Sequence, residues 1–104
     1  MASSLTITQW NCNGLRAHAN ELKNMLLSAG KTYDIICLQE TFLKTGNNFN
    51  LPGYNIVRKD RTDGAKGGLI TAVRDSISYS HAVNNGPAEM ADVETLTVRI
   101  KTHN

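Results

Sequence analysis

The chain of 104 residues is long enough for one small domain, and its hydrophobic fraction of 40% can supply a single modest core. Eight glycines and two prolines are ordinary for a globular chain, which excludes a low-complexity or wholly disordered class. The formal net charge of +2 is a weak indication of an anionic partner and by itself establishes none.

Cysteine content and hydropathy restrict the cellular setting. The two cysteines, Cys12 and Cys37, lie in apolar or strand-like segments rather than in a secreted disulfide framework. The longest apolar run, residues 35–38, is far too short to span a bilayer, and no charged start precedes an apolar targeting core. These features favour an intracellular chain with reduced thiols and without a membrane segment.

The first predicted element is a strand. Leu5 and Ile7 alternate with threonines, and this period of two fits a strand that runs into Trp10. If the alternation persists, Asn11 and Asn13 lie on one face of the strand. The glycine that follows ends the strand.

A short helix is expected next. Apolar side chains recur at helical spacing between Asn20, which suits the N-cap position, and Gly30, which suits a helix stop. These apolar positions are Leu22, Met25, Leu26 and Ala29. The pattern predicts an amphipathic helix that packs on a sheet.

A second strand follows the helix. Residues 34–39 contain four consecutive apolar side chains, which predicts a strand that is covered on both faces. Strand, helix and strand in this order predict a βαβ unit. Residues 44–53 are rich in Asn, Gly and Pro and are expected to form a surface loop.

The remaining elements are strands. Residues 54–58 and 68–73 should form a hairpin, since a short polar connection joins them. Residues 76–83 fit either a short edge strand or a packed loop. Residues 95–100 alternate between polar and apolar side chains and predict a last strand. No internal repeat or interdomain linker occurs, so a single domain is expected.

Glu40 and two asparagines are the strongest candidates for chemistry. A carboxylate at the carboxyl end of a buried strand sits where α/β proteins place binding groups, and Mg²⁺ prefers hard oxygen ligands. The alternative is a solvated glutamate that merely ends the strand. Asn11 and Asn13 could hold a phosphate oxygen, orient a catalytic group or support a metal ligand, or simply form a turn.

Basic side chains concentrate in the predicted hairpin loop. Four of them lie within nine positions, namely Arg58, Lys59, Arg61 and Lys66. Such a loop could grip a phosphate backbone, although two interleaved aspartates also allow a solvated loop with no ligand. The three histidines and two cysteines lack zinc-ligand spacing, and no Walker loop or dinucleotide fingerprint is present.

Four motifs in a fixed order make the chain resemble a known protein family. QWNCNGLR, DIICLQET, PGYNIVRKDR and KGGLITAVR together resemble the start of the endonuclease/exonuclease/phosphatase superfamily. Within it, the chain is most similar to the apurinic-type endonuclease domain of non-LTR (LINE-type, jockey-like) retrotransposons. The resemblance runs from about Leu5 to Ile100, and the combination of W-N-x-N-G-L with L-Q-E-T is specific.

The resemblance implies an α/β fold, an α/β/β/α sandwich in which helices lie outside two packed mixed sheets. Residues 1–104 would be its first half, because the G-D-[FL]-N and S-D-H motifs of the second half do not occur here. Those motifs supply the base and further metal ligands, so the isolated chain is expected to be inactive.

The implied activity is nicking of DNA with Mg²⁺ (or Mn²⁺), which leaves a 3′-hydroxyl that primes reverse transcription. Glu40 matches the metal-binding, catalytic glutamate, Asn11 matches the catalytic asparagine of the site floor, and Asn13 lies where many relatives place an aspartate, a second metal position. The predicted nucleic-acid-binding residues are Arg16, Lys59, Arg61 and Lys66.

The implied partners and setting follow from that activity. They are DNA, a downstream reverse transcriptase domain in the parent protein, and the nucleus, with no membrane. The alternative is a non-catalytic module that binds nucleic acid or protein, or a degenerate remnant of such an element. A phosphatase relative is a further alternative within the enzyme class.

Overall fold

One helix and six strands make up the described parts of this computed structural model, which are residues 4–28, 33–60, 67–82 and 95–101. In chain order they are β1 (Ile7–Asn11), α1 (Leu15–Ser28), β2 (Ile35–Gln39), β3 (Tyr54–Lys59), β4 (Leu69–Arg74), β5 (Tyr79–Ala82) and β6 (Thr97–Ile100). Over these residues, no helix has the length and apolar character that crossing a bilayer requires.

The strands form a mixed four-stranded sheet and a separate two-stranded sheet. The larger sheet has the order β1-β2-β4-β3, with β1 parallel to β2 and the other pairs antiparallel. The predicted βαβ unit, the predicted hairpin and the α/β class are therefore confirmed. In the smaller sheet β5 pairs antiparallel with β6. Residues 76–83, for which an edge strand and a packed loop were both expected, therefore contain an edge strand.

The main core lies between α1 and one face of the larger sheet. Leu15 and Leu22 of α1 are fully buried there, together with Ile36 and Leu38 of β2. Each such side chain stabilises the fold by about 1.5–3 kcal/mol relative to an exposed one. Ile35 on the opposite face is also only 5% exposed, which confirms a strand covered on both faces.

The helix begins earlier than predicted. Leu15 is its first residue, so Asn20 lies inside α1 and the N-cap prediction was wrong. The apolar face of the helix starts at the fully buried Leu15, and polar side chains between it and the next buried residue conceal that periodicity. Met25, expected on the apolar face, is 42% exposed, while Ala29 and Gly30 lie outside the described residues.

Strand β1 ends before the second asparagine. Its helix-side face carries the half-buried Trp10, whereas Leu5 and Ile7 on the other face are 45% and 60% exposed. The strand stops at Asn11, and Asn13 adopts a left-handed backbone with a φ of 45°. The expected alternation therefore does not extend to Asn13, and a turn positions this side chain instead.

Asp34 joins three segments at the opposite edge of the sheet from these asparagines. Its Oδ2 accepts hydrogen bonds from the amide of Thr6 at 2.9 Å and from the Thr6 hydroxyl at 3.1 Å. Its Oδ1 pairs with the guanidinium of Arg74 at 2.6 Å. The hydrogen bonds from Thr6 hold the pKa of Asp34 below its ordinary value, burial opposes them, and the charge of Arg74 lowers the pKa further.

Asp34→Asn should therefore lower stability in a pH-dependent way. A pKa depressed by folding means that the carboxylate contributes stability above its unfolded pKa of about 4, and this contribution is lost as the pH falls through the folded pKa. We expect a lower urea midpoint for the variant at neutral pH and convergence with the wild type in acid. Asp75→Asn, at an exposed position, is the matched control. Parallel pH profiles for wild type and Asp34→Asn would contradict the prediction.

Candidate functional site

The candidate site lies at the edge of the larger sheet where β1 and β2 end. Because β1 and β2 are parallel, their carboxyl ends meet at one edge, and the register aligns Asn11 with Gln39 there. Gln39 in turn pairs with Leu69 at the start of β4, and Leu69 pairs with Lys59 at the end of β3. We call residues 11–14, 40–42 and 67–68 the carboxyl edge.

Asn11 and Glu40 are in direct contact at this edge. The side-chain amide Nδ2 of Asn11 donates a hydrogen bond to Oε2 of Glu40. The Oδ1 of Asn11 accepts a hydrogen bond from the backbone amide of Asn13 at 3.1 Å. Asn11 is therefore held by the backbone on one side and orients the carboxylate on the other, while no described residue bonds the second carboxylate oxygen, Oε1.

The backbone of the carboxyl edge is strained. Asn13, Glu40 and Phe42 have φ angles of 45°, 52° and 58°, in the left-handed region that side chains other than glycine seldom adopt. Each such residue costs about 1–3 kcal/mol and persists only where the surroundings fix it. Three of them at one edge, one of them the glutamate, make this edge the candidate functional site.

Backbone hydrogen bonds between the three segments maintain this conformation. The amide of Gly14 donates to the carbonyl of Glu40 at 2.9 Å, and the amide of Leu15 donates to the carbonyl of Thr41 at 2.9 Å. On the other side, the amide of Thr41 donates to the carbonyl of Gly68 at 3.3 Å. The residues around Glu40 are thus fixed on both sides, by the turn after β1 and by the turn before β4.

Gly68 fits closely against Thr41. Its φ is 98°, and a Cβ at this position would overlap with the hydroxyl oxygen of Thr41, a side chain that is only 1% exposed. A glycine is therefore required here both by the backbone and by space. Sequence patterns did not predict this contact, because it joins residues that are far apart in the chain.

Cys12 lies beside Glu40 but does not extend its chemistry. Burial raises the pKa of the Cys12 thiol to about 11, with a smaller contribution from the negative charge of Glu40, while a hydrogen bond with the backbone of Gln39 opposes the rise. The raised pKa makes this thiol less reactive as a nucleophile than an ordinary cysteine. Both cysteines are free, as expected.

The donor set at the carboxyl edge fits a hard cation that retains much of its own hydration. The described residues contain no group of three or more His, Cys, Asp or Glu side chains suited to hold a metal ion. Mg²⁺, however, often takes only one or two carboxylates and completes its octahedron with water and substrate phosphates. Oε1 of Glu40 is a suitable ligand, and the exposed Asn13, two positions after Asn11, carries a further side-chain oxygen at the carboxyl edge.

Of the predicted nucleic-acid-binding residues, the described ranges contain Arg16 and Lys59. Arg16 lies exposed in the first turn of α1, directly after the carboxyl edge. Lys59 lies at the end of β3, where its Nζ donates a hydrogen bond to the carbonyl of Thr95 at 3.1 Å. Arg61 and Lys66 lie outside the described residues.

Arg58, the first of the four clustered basic residues, lies in β3 rather than in a loop and has a structural role. Its guanidinium donates to the carbonyl oxygens of Asn47 at 2.6 Å and Lys44 at 3.0 Å. It also forms a two-point ion pair with Asp60, with distances of 3.1 and 2.8 Å. Because these groups occupy the guanidinium, Arg58 anchors the loop that follows β2 and is not counted among the phosphate-binding candidates.

The fold and the site together define a class of protein. This is an α/β protein in which a carboxylate and a carboxamide form a hydrogen bond where two parallel strands end. Residues 8–103 match the endonuclease/exonuclease/phosphatase family, and the chain belongs to that family. A comparison with curated proteins finds no match.

A solved structure supports the fold. The chain is similar to a variant of the 3′ phosphatase NExo from Neisseria bound to a product DNA hairpin, with a TM-score of 0.56 and 22% sequence identity. The match covers 78% of this chain and 32% of that chain. At this level of identity the similarity demonstrates the shared fold, and the chain spans about a third of that structure's length.

Proposed function

We propose that the chain is the N-terminal part of a Mg²⁺-dependent DNA endonuclease, of the kind that nicks target DNA to prime reverse transcription of a non-LTR retrotransposon. The observation that carries this proposal is the contact between Asn11 and Glu40 on strained backbone at the carboxyl edge. Membership of the family and the order of its motifs support it. The DNA hairpin bound to the similar solved structure supports DNA as the partner.

Glu40 would hold the cation through Oε1, with Asn13 beside it as a second oxygen donor. When bound, Mg²⁺ (or Mn²⁺) supplies the positive charge that polarises a phosphoryl oxygen and stabilises the leaving oxygen. Asn11 is a positioning residue in this scheme, because its amide fixes the rotamer of Glu40 while its carbonyl oxygen is held by the amide of Asn13. The three side chains would thus be held in fixed positions at the edge of the sheet, where a phosphate can reach the cation.

Residues 1–104 would not cleave DNA without a further segment. A nucleophilic water needs a general base, and residues 1–104 contain neither of the motifs that supply it in the family that the chain resembles. The base and the remaining ligands would come from a segment that carries G-D-[FL]-N and S-D-H motifs. In the parent protein we further propose a downstream reverse transcriptase domain and a nuclear site of action.

Nicking of supercoiled plasmid tests this function. Residues 1–104 joined to the second half of a retrotransposon endonuclease domain should relax the plasmid with Mg²⁺ but not with EDTA, and Glu40→Gln should abolish the reaction. The isolated chain should leave the plasmid intact. Relaxation by the joined protein that survives Glu40→Gln would contradict the role of Glu40, and metal-dependent nicking by the isolated chain would contradict its dependence on a further segment.

A further inference from the structure

A groove of about 240 Å³ lies between α1 and the loop that follows β2. Arg16 and Lys23 of α1 form one wall, and Asn48, Phe49 and Asn50 of the loop form the other. Resting on the proposed function, we propose that this groove binds the phosphodiester backbone of the DNA strand that runs past the carboxyl edge. The predicted phosphate contact of Arg16 would thereby extend to Lys23 and to the two asparagines.

The charges in the groove favour a phosphate ligand. Arg16 and Lys23 bring two positive charges, no acidic side chain lines the groove, and neither cation forms an ion pair with a described residue. The carboxamides of Asn48 and Asn50 can donate hydrogen bonds to phosphate oxygens from the opposite wall. An anion entering the groove therefore meets donors from both sides.

The dimensions suit a strand rather than a single small anion. Arg16 and Lys23 are seven positions apart, which corresponds to two turns and about 10 Å along the helix axis. This separation is larger than the spacing of about 3.4 Å per phosphate along a duplex axis, so the two cations are too far apart to share one phosphate. The groove thus has its two cations placed to contact different phosphates of one continuous backbone.

The groove also adjoins the proposed metal site. Leu15 and Leu43 line it, and both belong to the segments that fix Glu40. The amide of Leu15 donates to the carbonyl of Thr41 at 2.9 Å, and Leu43 follows Glu40 by three positions. A strand held in the groove would reach the carboxyl edge within a few nucleotides. The groove would therefore position the nucleotides next to the scissile phosphate.

Binding of a fluorescein-labelled duplex oligonucleotide, measured by anisotropy in EDTA over a range of NaCl concentrations, tests the groove without the metal. Each phosphate contact contributes about 0.9 to the slope of log K against log salt. The double variant Arg16→Gln/Lys23→Gln should therefore bind at least tenfold more weakly and lose about 1.8 from that slope. Arg99→Gln/Lys101→Gln, at two exposed cations in and directly after β6, is the matched control for two lost charges and should lose little affinity.

Equal affinity and equal salt slope for the double variant and for wild type would contradict DNA binding in the groove. Displacement of the oligonucleotide by inorganic phosphate or a mononucleotide at equal phosphate concentration would contradict the preference for a continuous strand. Arg16 is exposed and Lys23 is partly exposed, so circular dichroism should show an unchanged fold. The Asn48→Ala/Asn50→Ala variant gives a second test, with weaker binding expected. The assay contains EDTA, so it does not depend on the metal. Weaker binding by these variants would support DNA binding in the groove even if Glu40-dependent nicking is not observed. Glu40-dependent nicking without weaker binding by the variants would support the proposed function and contradict the role of the groove.

Discussion

Gly68→Ala should lower the free energy of unfolding by about 2–5 kcal/mol. An alanine in the left-handed region costs about 1–2 kcal/mol, and forcing a methyl group into packed structure typically costs about 1–3 kcal/mol more. Both apply at Gly68, where φ is 98° and the new Cβ would overlap with the buried hydroxyl of Thr41. Urea unfolding followed by circular dichroism measures the loss.

Two other glycines provide matched controls. Gly53 also has a left-handed φ, of 87°, but a Cβ there would meet nothing within 4 Å, so Gly53→Ala isolates the backbone cost. Gly46 has open space around it and no left-handed φ, so Gly46→Ala should leave stability nearly unchanged. A loss at Gly68 no greater than that at Gly53 would show that the contact with Thr41 is not tight.

A double substitution tests the contact itself. Thr41→Ala removes the hydroxyl that the new methyl group would meet, so the loss caused by Gly68→Ala should be smaller in the Thr41→Ala background. The difference is a coupling free energy between the two positions. Additive losses would mean that the two residues act independently, contrary to the close packing described here.

Glu40→Gln should abolish divalent-cation binding with little effect on the fold. Gln keeps the size and the backbone preference of Glu but carries no charge, and Glu40 is only half-buried. Removing a residue that merely orients a ligand typically costs 10–100-fold in metal affinity, so loss of the carboxylate itself should cost at least about 100-fold. Titration with Mn²⁺ by calorimetry measures this change.

The remaining variants in this titration separate charge from position. Asn11→Ala removes the amide that orients the carboxylate and should weaken Mn²⁺ binding by about 10–100-fold. Glu21→Gln, at an exposed position of α1, removes an equal charge away from the carboxyl edge and should have no effect. Unchanged Mn²⁺ affinity in Glu40→Gln would contradict the proposed metal site while leaving the groove beside α1 unaffected.

Much of the fold could be predicted from hydrophobic patterns. The apolar run in β2 and the alternation in β6 each predicted a strand, since these patterns have few other structural explanations. The start of α1 could not be found in this way, because Leu15 is a single buried residue among polar neighbours and its burial depends on a sheet that is distant in sequence. Local patterns do not contain that information.

The candidate site was predictable in part for the same reason. Parallel strands bring their carboxyl ends together, so the proximity of Asn11 and Glu40 followed from the predicted βαβ unit. The packing of Gly68 against Thr41 and the anchoring role of Arg58 depend on tertiary contacts. Charge counting placed Arg58 with the phosphate-binding candidates, whereas its geometry assigns it to the scaffold.

The hydrogen bonds of the carboxyl edge also link cation binding to the stability of the folded chain. Asn11 and Glu40 are 29 positions apart, so bringing them together requires closure of a long loop of the unfolded chain. A ligand that binds this arrangement and not the unfolded chain stabilises the folded state by about 2.7 kcal/mol at 100 times its dissociation constant. The thermal midpoint should accordingly rise with Mn²⁺ concentration, and the cation would serve the protein as a folding cofactor before it takes part in any reaction.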